Sequence, residues 1–72
     1  MIGRSHPHTL AAALPREIER VAKLIPIYRA VPLGFLAAGM MQRSLNAAQA
    51  AIAAADPVGM IRAYEDLKGY SL

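Results

Sequence analysis

The feature that most constrains this chain of 72 residues is an alanine-rich segment without proline, from about Leu33 to Ala55. Apolar residues recur there at alternating spacings of three and four, the period of an α-helix. They are Ala38, Met41, Leu45, Ala48, Ile52 and Ala55. A second row of apolar and small residues lies beside them: Leu33, Leu36, Met40, Ser44, Ala47 and Ala51. Because two rows cover more than half of a helix's circumference, the segment is predicted to be a long central helix contacted from at least two directions.

The segment before it predicts a first helix whose limits are set by prolines. Pro15 suits the first turn of a helix, where its missing N–H costs nothing. Pro26 falls in the interior, where proline costs about 3 kcal/mol, so a kink or break is expected there. The Val31-Pro32 pair then ends the helix, since the residue before proline disfavours the α conformation. One apolar face of this helix consists of Ile18, Val21, Ile25 and Tyr28.

The last segment predicts a short third helix with clear boundaries. Asp56 is a favoured N-cap residue, Pro57 suits the first helical position, and Gly69 suits a C-terminal stop. Its apolar face consists of Met60, Ile61, Tyr64 and Leu67. The fold class is therefore all-α: a small three-helix domain over residues 10–72, with a kinked first helix, a long central helix and a flexible tail at residues 1–9.

The composition predicts self-association. Hydrophobic residues make up 56% of the chain but aromatic residues only 6%, so helices form easily and fill a core poorly. A core in a chain of this size contributes only roughly 3–5 kcal/mol, and with no cysteine there is no disulfide to add to it. We therefore expect a homo-oligomer, with a dimer favoured. The absence of cysteine also fits a soluble protein of the reducing cytoplasm.

The reactive side chains do not form a catalytic, cofactor-binding or metal-binding pattern. His6 and His8 lie close in sequence but lack the third and fourth ligands of a defined metal site. Ser44 falls in the middle of the predicted central helix, where close packing explains a small residue. Glu65 and Asp66 diverge by about 100° on a helix, unlike a cooperating acid pair. We therefore expect a protein that is not an enzyme and needs no cofactor or metal.

The wide apolar surface of the central helix is the main candidate for binding. The third helix is short and the first is expected to bend, so part of this surface should remain for a second copy or another protein. The predicted protein interface consists of Met40, Met41, Leu45, Ala48 and Ile52. Gly34 and Gly39 do not fit a phosphate-binding loop, because no strand precedes them and no Lys-Ser/Thr pair follows. They are expected to thin the helix so that another backbone can approach closely.

Two other surfaces offer alternatives. Arg16, Arg20 and Lys23 share one face of the first helix and are candidates for contact with an acidic protein or a nucleic acid. Glu17 and Glu19 interleave this face and dilute its charge. No transmembrane span is expected, because the uncharged run Ala30–Met41 is shorter than the roughly 20 residues that a spanning helix needs. Attachment of residues 27–41 to a membrane surface stays open as a third possibility.

From Leu14 onward the chain resembles small helical proteins of the phages and prophages of Gram-negative bacteria. The resemblance lies in the Leu14–Ile18 opening (LPREI) and the Asp56–Glu65 run (DPVGMIRAYE). It brings no activity and no functional residues with it, but it implies binding to a host protein. The leading hypothesis is a non-enzymatic, self-associating interaction module, a phage-encoded modulator or inhibitor of a host protein. The alternative is a nucleic-acid-associated accessory protein that uses the basic face.

Overall fold

A computed structural model describes residues 9–71, and three α-helices account for most of them. The helices are α1 (Leu10–Arg29), α2 (Gly34–Ala53) and α3 (Pro57–Lys68), and each packs against the other two. The described residues contain no strand, so the predicted all-α, three-helix architecture is confirmed. Apart from Thr9, the predicted flexible tail lies outside the described residues, as do His6 and His8.

Helix α1 begins earlier than predicted and is continuous. Thr9 is its N-cap, and the Thr9 hydroxyl accepts a hydrogen bond from the Ala12 N–H at 3.3 Å. Pro15 and Pro26 both lie inside the helix, so α1 starts at Leu10 rather than at the predicted Pro15, and of the predicted kink or break at Pro26 the break is wrong. Both prolines are exposed, and so are the residues four positions earlier, whose carbonyls lose their usual partner and can bond water instead. Burial of the α1 face outweighs the cost that remains; that face includes Ala13, Leu14, Val21, Leu24 and Ile25.

The connection between α1 and α2 places two backbones in close contact. Leu33 adopts a left-handed conformation with φ of 64°, and Gly34 follows it as the first residue of α2. A Cβ on Gly34 would clash with the Tyr28 carbonyl oxygen and would lie 2.6 Å from the Val31 side chain. The predicted close backbone approach is thus confirmed at Gly34. At Gly39 no backbone of the same chain approaches, because a Cβ there would meet nothing within 4 Å.

The turn between α2 and α3 agrees with the predicted boundary. Asp56 occupies the N-cap position and Pro57 the first helical position of α3. Ala55 just before them has a φ of 51°, which turns the chain sharply. Gly69 is the C-cap, as predicted, although its φ of −74° is right-handed, so α3 ends without the left-handed conformation that glycine allows.

The core lies between the three helices and is built by the first apolar row of α2. Ala38, Met41, Leu45 and Ala48 of that row are buried, whereas Ile52 is 41% exposed. The α1 and α3 side chains that close over them are Leu14, Val21, Leu24, Ile25, Ala63 and Leu67. Contact of α2 from two directions, which the width of its apolar surface predicted, is therefore confirmed.

The unequal lengths of the helices shape the molecule. Helices α1 and α2 have 20 residues each and span about 30 Å, whereas the 12 residues of α3 span about 18 Å. Helix α3 begins beside the C-terminal end of α2 and runs back along it, so it stops short of the connection between α1 and α2. That end of a molecule 48 Å long and 21 Å across is a pair of helices without a third.

Candidate interaction surface

The predicted interface on α2 divides between the core and the surface. Met41, Leu45 and Ala48 are 1%, 5% and 0% exposed, so their prediction as interface residues is wrong for the folded chain. The reason is that α1 and α3 together cover the part of this row from Ala38 to Ala48. Met40 and Ile52 are 52% and 41% exposed. They differ by twelve positions and by about 120° around the helix, so they do not form one patch.

The largest concentration of exposed apolar side chains lies at the end that α3 does not reach. We call this group the tip surface; it consists of Ile27, Val31, Leu33, Phe35, Leu36 and Met40. Leu33 is 73% exposed and Phe35 is 62% exposed, although both residue types are usually buried. Helical spacing predicts Met40 at an interface, and the apolar run 27–41 is a candidate for a membrane surface, but neither pattern identifies this group of six residues.

The charges around the tip surface are all positive. No aspartate or glutamate occurs between Glu19 and Asp56 in the sequence. The same segment contains Arg20, which is half-buried, and three exposed cations, Lys23, Arg29 and Arg43. An exposed apolar surface bordered by cations favours a partner that combines apolar and acidic groups.

Helix α2 carries a second exposed feature beside its C-terminal half. An open groove of about 680 Å³ lies between α2 and α3. It is lined by Ala47, Ala50, Ala51, Ala54, Asp56, Gly59, Arg62, Ala63 and Asp66. The helices approach closely there, since a Cβ on Gly59 would lie 3.2 Å from the Cβ of Ala51. The groove thus has small apolar residues inside and charged residues at its rim.

A smaller apolar groove lies at the end opposite the tip surface. It has a volume of about 250 Å³ and contains Ile52. Its other lining residues are Leu10, Ala11, Leu14, Pro15, Ala55 and Met60. The two exposed residues of the predicted interface therefore belong to different surfaces, with Met40 at the tip and Ile52 in this groove.

Arg20 does not belong to an open basic face. Its guanidinium forms an ion pair with Glu17 at 2.8 Å and donates hydrogen bonds to the carbonyl oxygens of Leu67 at 2.9 Å and Tyr70 at 2.8 Å. The hydrogen bond to Glu17 raises the pKa of Arg20 above its ordinary value, against the lowering effect of partial burial. Arg20 thus links the end of α3 to α1. Its contact with an acidic partner or a nucleic acid stays a prediction. Arg16 and Lys23 are exposed.

Two tyrosines tie the C-terminal residues to the other helices. The Ser44 hydroxyl lies 3.0 Å from the Tyr70 hydroxyl, and the Tyr28 hydroxyl donates a hydrogen bond to the Ser71 carbonyl. Ser44 therefore shares a hydrogen bond with Tyr70 in the part of the chain that the structure describes. Within residues 9–71, no group of three His, Cys, Asp or Glu side chains is placed to hold a metal ion.

No protein-family model, curated protein or solved structure matches this chain. The resemblance to small phage proteins therefore stays a prediction. In the part of the chain that the structure describes, none of the helices combines the length and the apolar character that crossing a bilayer requires.

Proposed function

We propose that this protein is a non-enzymatic interaction module that binds other protein surfaces, with the tip surface as its principal contact. The observation that carries the proposal is the exposure of large apolar side chains at one end of the bundle. A concentration of exposed apolar side chains at one end of a small protein is typical of a binding surface. A partner that buried such a side chain fully would gain roughly 1.5–3 kcal/mol from it.

The backbone of Leu33 supports a binding role for the tip. Leu33 is the most exposed of the tip residues and has a positive φ. A left-handed conformation costs a non-glycine residue roughly 1–2 kcal/mol, and strain of this kind is concentrated at functional sites. The strain holds a large apolar side chain in solvent, where it contributes nothing to the core.

The nature of the partner follows from the chemistry and from the resemblance. The cations around the tip favour an acidic protein surface with an apolar centre. The resemblance to phage proteins supports a host protein as that partner and a role as its modulator or inhibitor. The interface proposed here differs from the one predicted from the sequence. Met41, Leu45 and Ala48 are buried in the core, so the tip surface is proposed as the contact in their place.

Site-specific photo-crosslinking in the producing cells tests the proposal. Benzoylphenylalanine is placed at Phe35 in the tip surface or at Val58, an apolar residue of similar exposure (58%) in the first turn of α3. We expect protein adducts from position 35 and few from position 58. Equal adducts from both positions, or adducts to lipid alone at position 35, would contradict the proposal.

The alternative function, a nucleic-acid accessory protein, is weakened because Arg20, the middle residue of the basic face, is engaged in bonds within the protein. Arg20 is bonded to Glu17 and to the end of α3, which leaves Arg16 and Lys23 a distance of seven residues apart on α1. We expect no retention on double- or single-stranded DNA or RNA at low salt. Retention that falls steeply as salt is raised, and that is lost on charge reversal of Arg16 and Lys23, would favour the alternative.

A further inference from the structure

The exposed face of α2 has a bulky half and a small half. Leu36, Met40 and Arg43 occupy its N-terminal half, followed by Ala47, Ala50 and Ala54. Spacings of four and three keep all of them within about 40° of one direction around the helix. Leu36 and Met40 are 61% and 52% exposed. One straight stripe therefore presents large apolar side chains towards the tip and alanines beside the groove between α2 and α3.

An antiparallel two-fold pairing matches the two halves of this stripe. With the two-fold axis at the level of Leu45 along the helix, Leu36 of one copy lies opposite Ala54 of the other. In the same register Met40 lies opposite Ala50, and Arg43 lies opposite Ala47. Each large side chain then meets an alanine, the arrangement that lets facing helices interdigitate without voids. Because the pairing is two-fold, every contact between a bulky half and a small half occurs twice in the dimer.

We infer that the first partner of this chain is a second copy, paired antiparallel along α2 so that Leu36 and Met40 of each copy enter the alanine groove of the other. The inference rests on the proposed function as an interaction module and names one partner for it. The part of the tip surface nearest the α1–α2 connection extends beyond this pairing and stays available to another protein. It includes Ile27, Val31, Leu33 and Phe35.

The balance of charge favours the antiparallel orientation, because the groove is lined by Asp56 and Asp66 and by one cation, Arg62. Asp66 lies at the rim of the groove, towards its Ala47 end, because α3 runs back along α2. In the antiparallel register Arg43 of one copy lies opposite Ala47 and so approaches Asp66 of the other. A parallel two-fold pairing would instead place Arg43 against Arg43 and Met40 against Met40. In that pairing the two arginines would repel each other, the two methionines would be crowded, and no side chain would enter either alanine groove.

Engineered cysteines read the register directly, since the chain has no cysteine of its own. Chains carrying Met40→Cys are mixed with chains carrying Ala50→Cys under mild oxidation, and the disulfide-linked species are identified by mass. Ala53→Cys is the control, because it is an exposed alanine of the same helix on a different face. We expect the 40–50 disulfide to exceed the 40–53 and 40–40 disulfides by about tenfold or more, since helix faces in register bring Cβ atoms within bonding range.

Sedimentation of single variants completes the test. We expect Met40→Glu to weaken the dimer by about tenfold or more, while Val58→Glu leaves it unchanged and both keep the helical circular dichroism of the wild type. A dominant 40–40 disulfide, or a wild-type protein that sediments as a monomer at all concentrations, would overturn the inference. Failure here is distinct from failure of the proposed function, because a monomer can still give adducts to other proteins from position 35.

Discussion

Arg20 donates a hydrogen bond from its guanidinium to the carbonyl oxygen of Leu67 at 2.9 Å, across 47 positions of the sequence. The bond joins the middle of α1 to the last turn of α3, where the Leu67 carbonyl also accepts a hydrogen bond from the Tyr70 N–H at 3.1 Å. A second bond reaches the carbonyl of Tyr70, and Glu17 holds the guanidinium in place. A cation that looks like part of a binding face in the sequence therefore has a structural role.

Replacing Arg20 tests that role. We expect Arg20→Met to lower the free energy of unfolding by about 1–2 kcal/mol, a modest loss because the side chain is 39% exposed and its bonds compete with water. Arg16→Met, one turn earlier and fully on the surface, should change it by no more than about 0.5 kcal/mol. The measurement is urea denaturation followed by circular dichroism. Equal effects of the two substitutions would refute the role of Arg20.

The two glycines of α2 form a matched pair with opposite expectations. Gly34→Ala should destabilise the fold by about 1–3 kcal/mol or more, because the new Cβ would clash with the Tyr28 carbonyl. Gly39→Ala should stabilise it by about 0.5–1 kcal/mol, since alanine is a better helix former and the space there is open. Thermal unfolding of both variants checks the pair. A stable Gly34→Ala protein would show that α1 and α2 are not in close contact there.

Truncation of Leu45 separates a core residue from an interface residue. Leu45 is 5% exposed, so Leu45→Ala should cost about 2–5 kcal/mol of stability at every protein concentration. Ile61→Ala, at a position 53% exposed, should cost far less. Denaturation at several protein concentrations distinguishes the roles. A loss for Leu45→Ala that is confined to high concentration would restore the residue to an interface.

Leu33 should show a conflict between stability and binding. Leu33→Gly removes the left-handed strain and should raise the free energy of unfolding by about 0.5–1 kcal/mol. The same change removes the most exposed side chain of the tip surface, so the yield of adducts from position 35 should fall. Leu36→Gly, inside the helix, should instead lower stability by about 1 kcal/mol. A glycine at position 33 that left both stability and adduct yield unchanged would speak against a binding role for the tip.

The sequence was sufficient to predict those features of the fold that depend only on residues close together in the chain. The core row of α2 from Ala38 to Ala48 follows from helical spacing, and the start of α3 follows from the Asp56-Pro57 pair. The end of α1 before Pro32 and the stop at Gly69 belong to the same group. Each depends on hydrogen bonds or side chains within about one or two helical turns, so the residue types themselves carry the information.

The path of α1 illustrates what local rules miss. Pro15 and Pro26 each argue for a helix end, and at both positions the helix continues. The decision depends on whether the freed carbonyls face solvent and on how much apolar surface the continuous helix buries. Both quantities are properties of the packed bundle, so the sequence pattern around a proline does not contain them.

The interaction surface shows the same division. The sequence by itself determined that α2 has more apolar surface than one neighbour needs, because periodicity assigns residues to faces. Only the tertiary structure decided which part stays exposed: α1 and α3 cover Met41, Leu45 and Ala48, while the shorter α3 stops before the tip. Likewise, the role of Arg20 depends on carbonyls nearly fifty positions away. Which residues of α2 are covered, and which distant carbonyls Arg20 reaches, depend on where each helix ends in the folded bundle. Helical periodicity does not predict those positions.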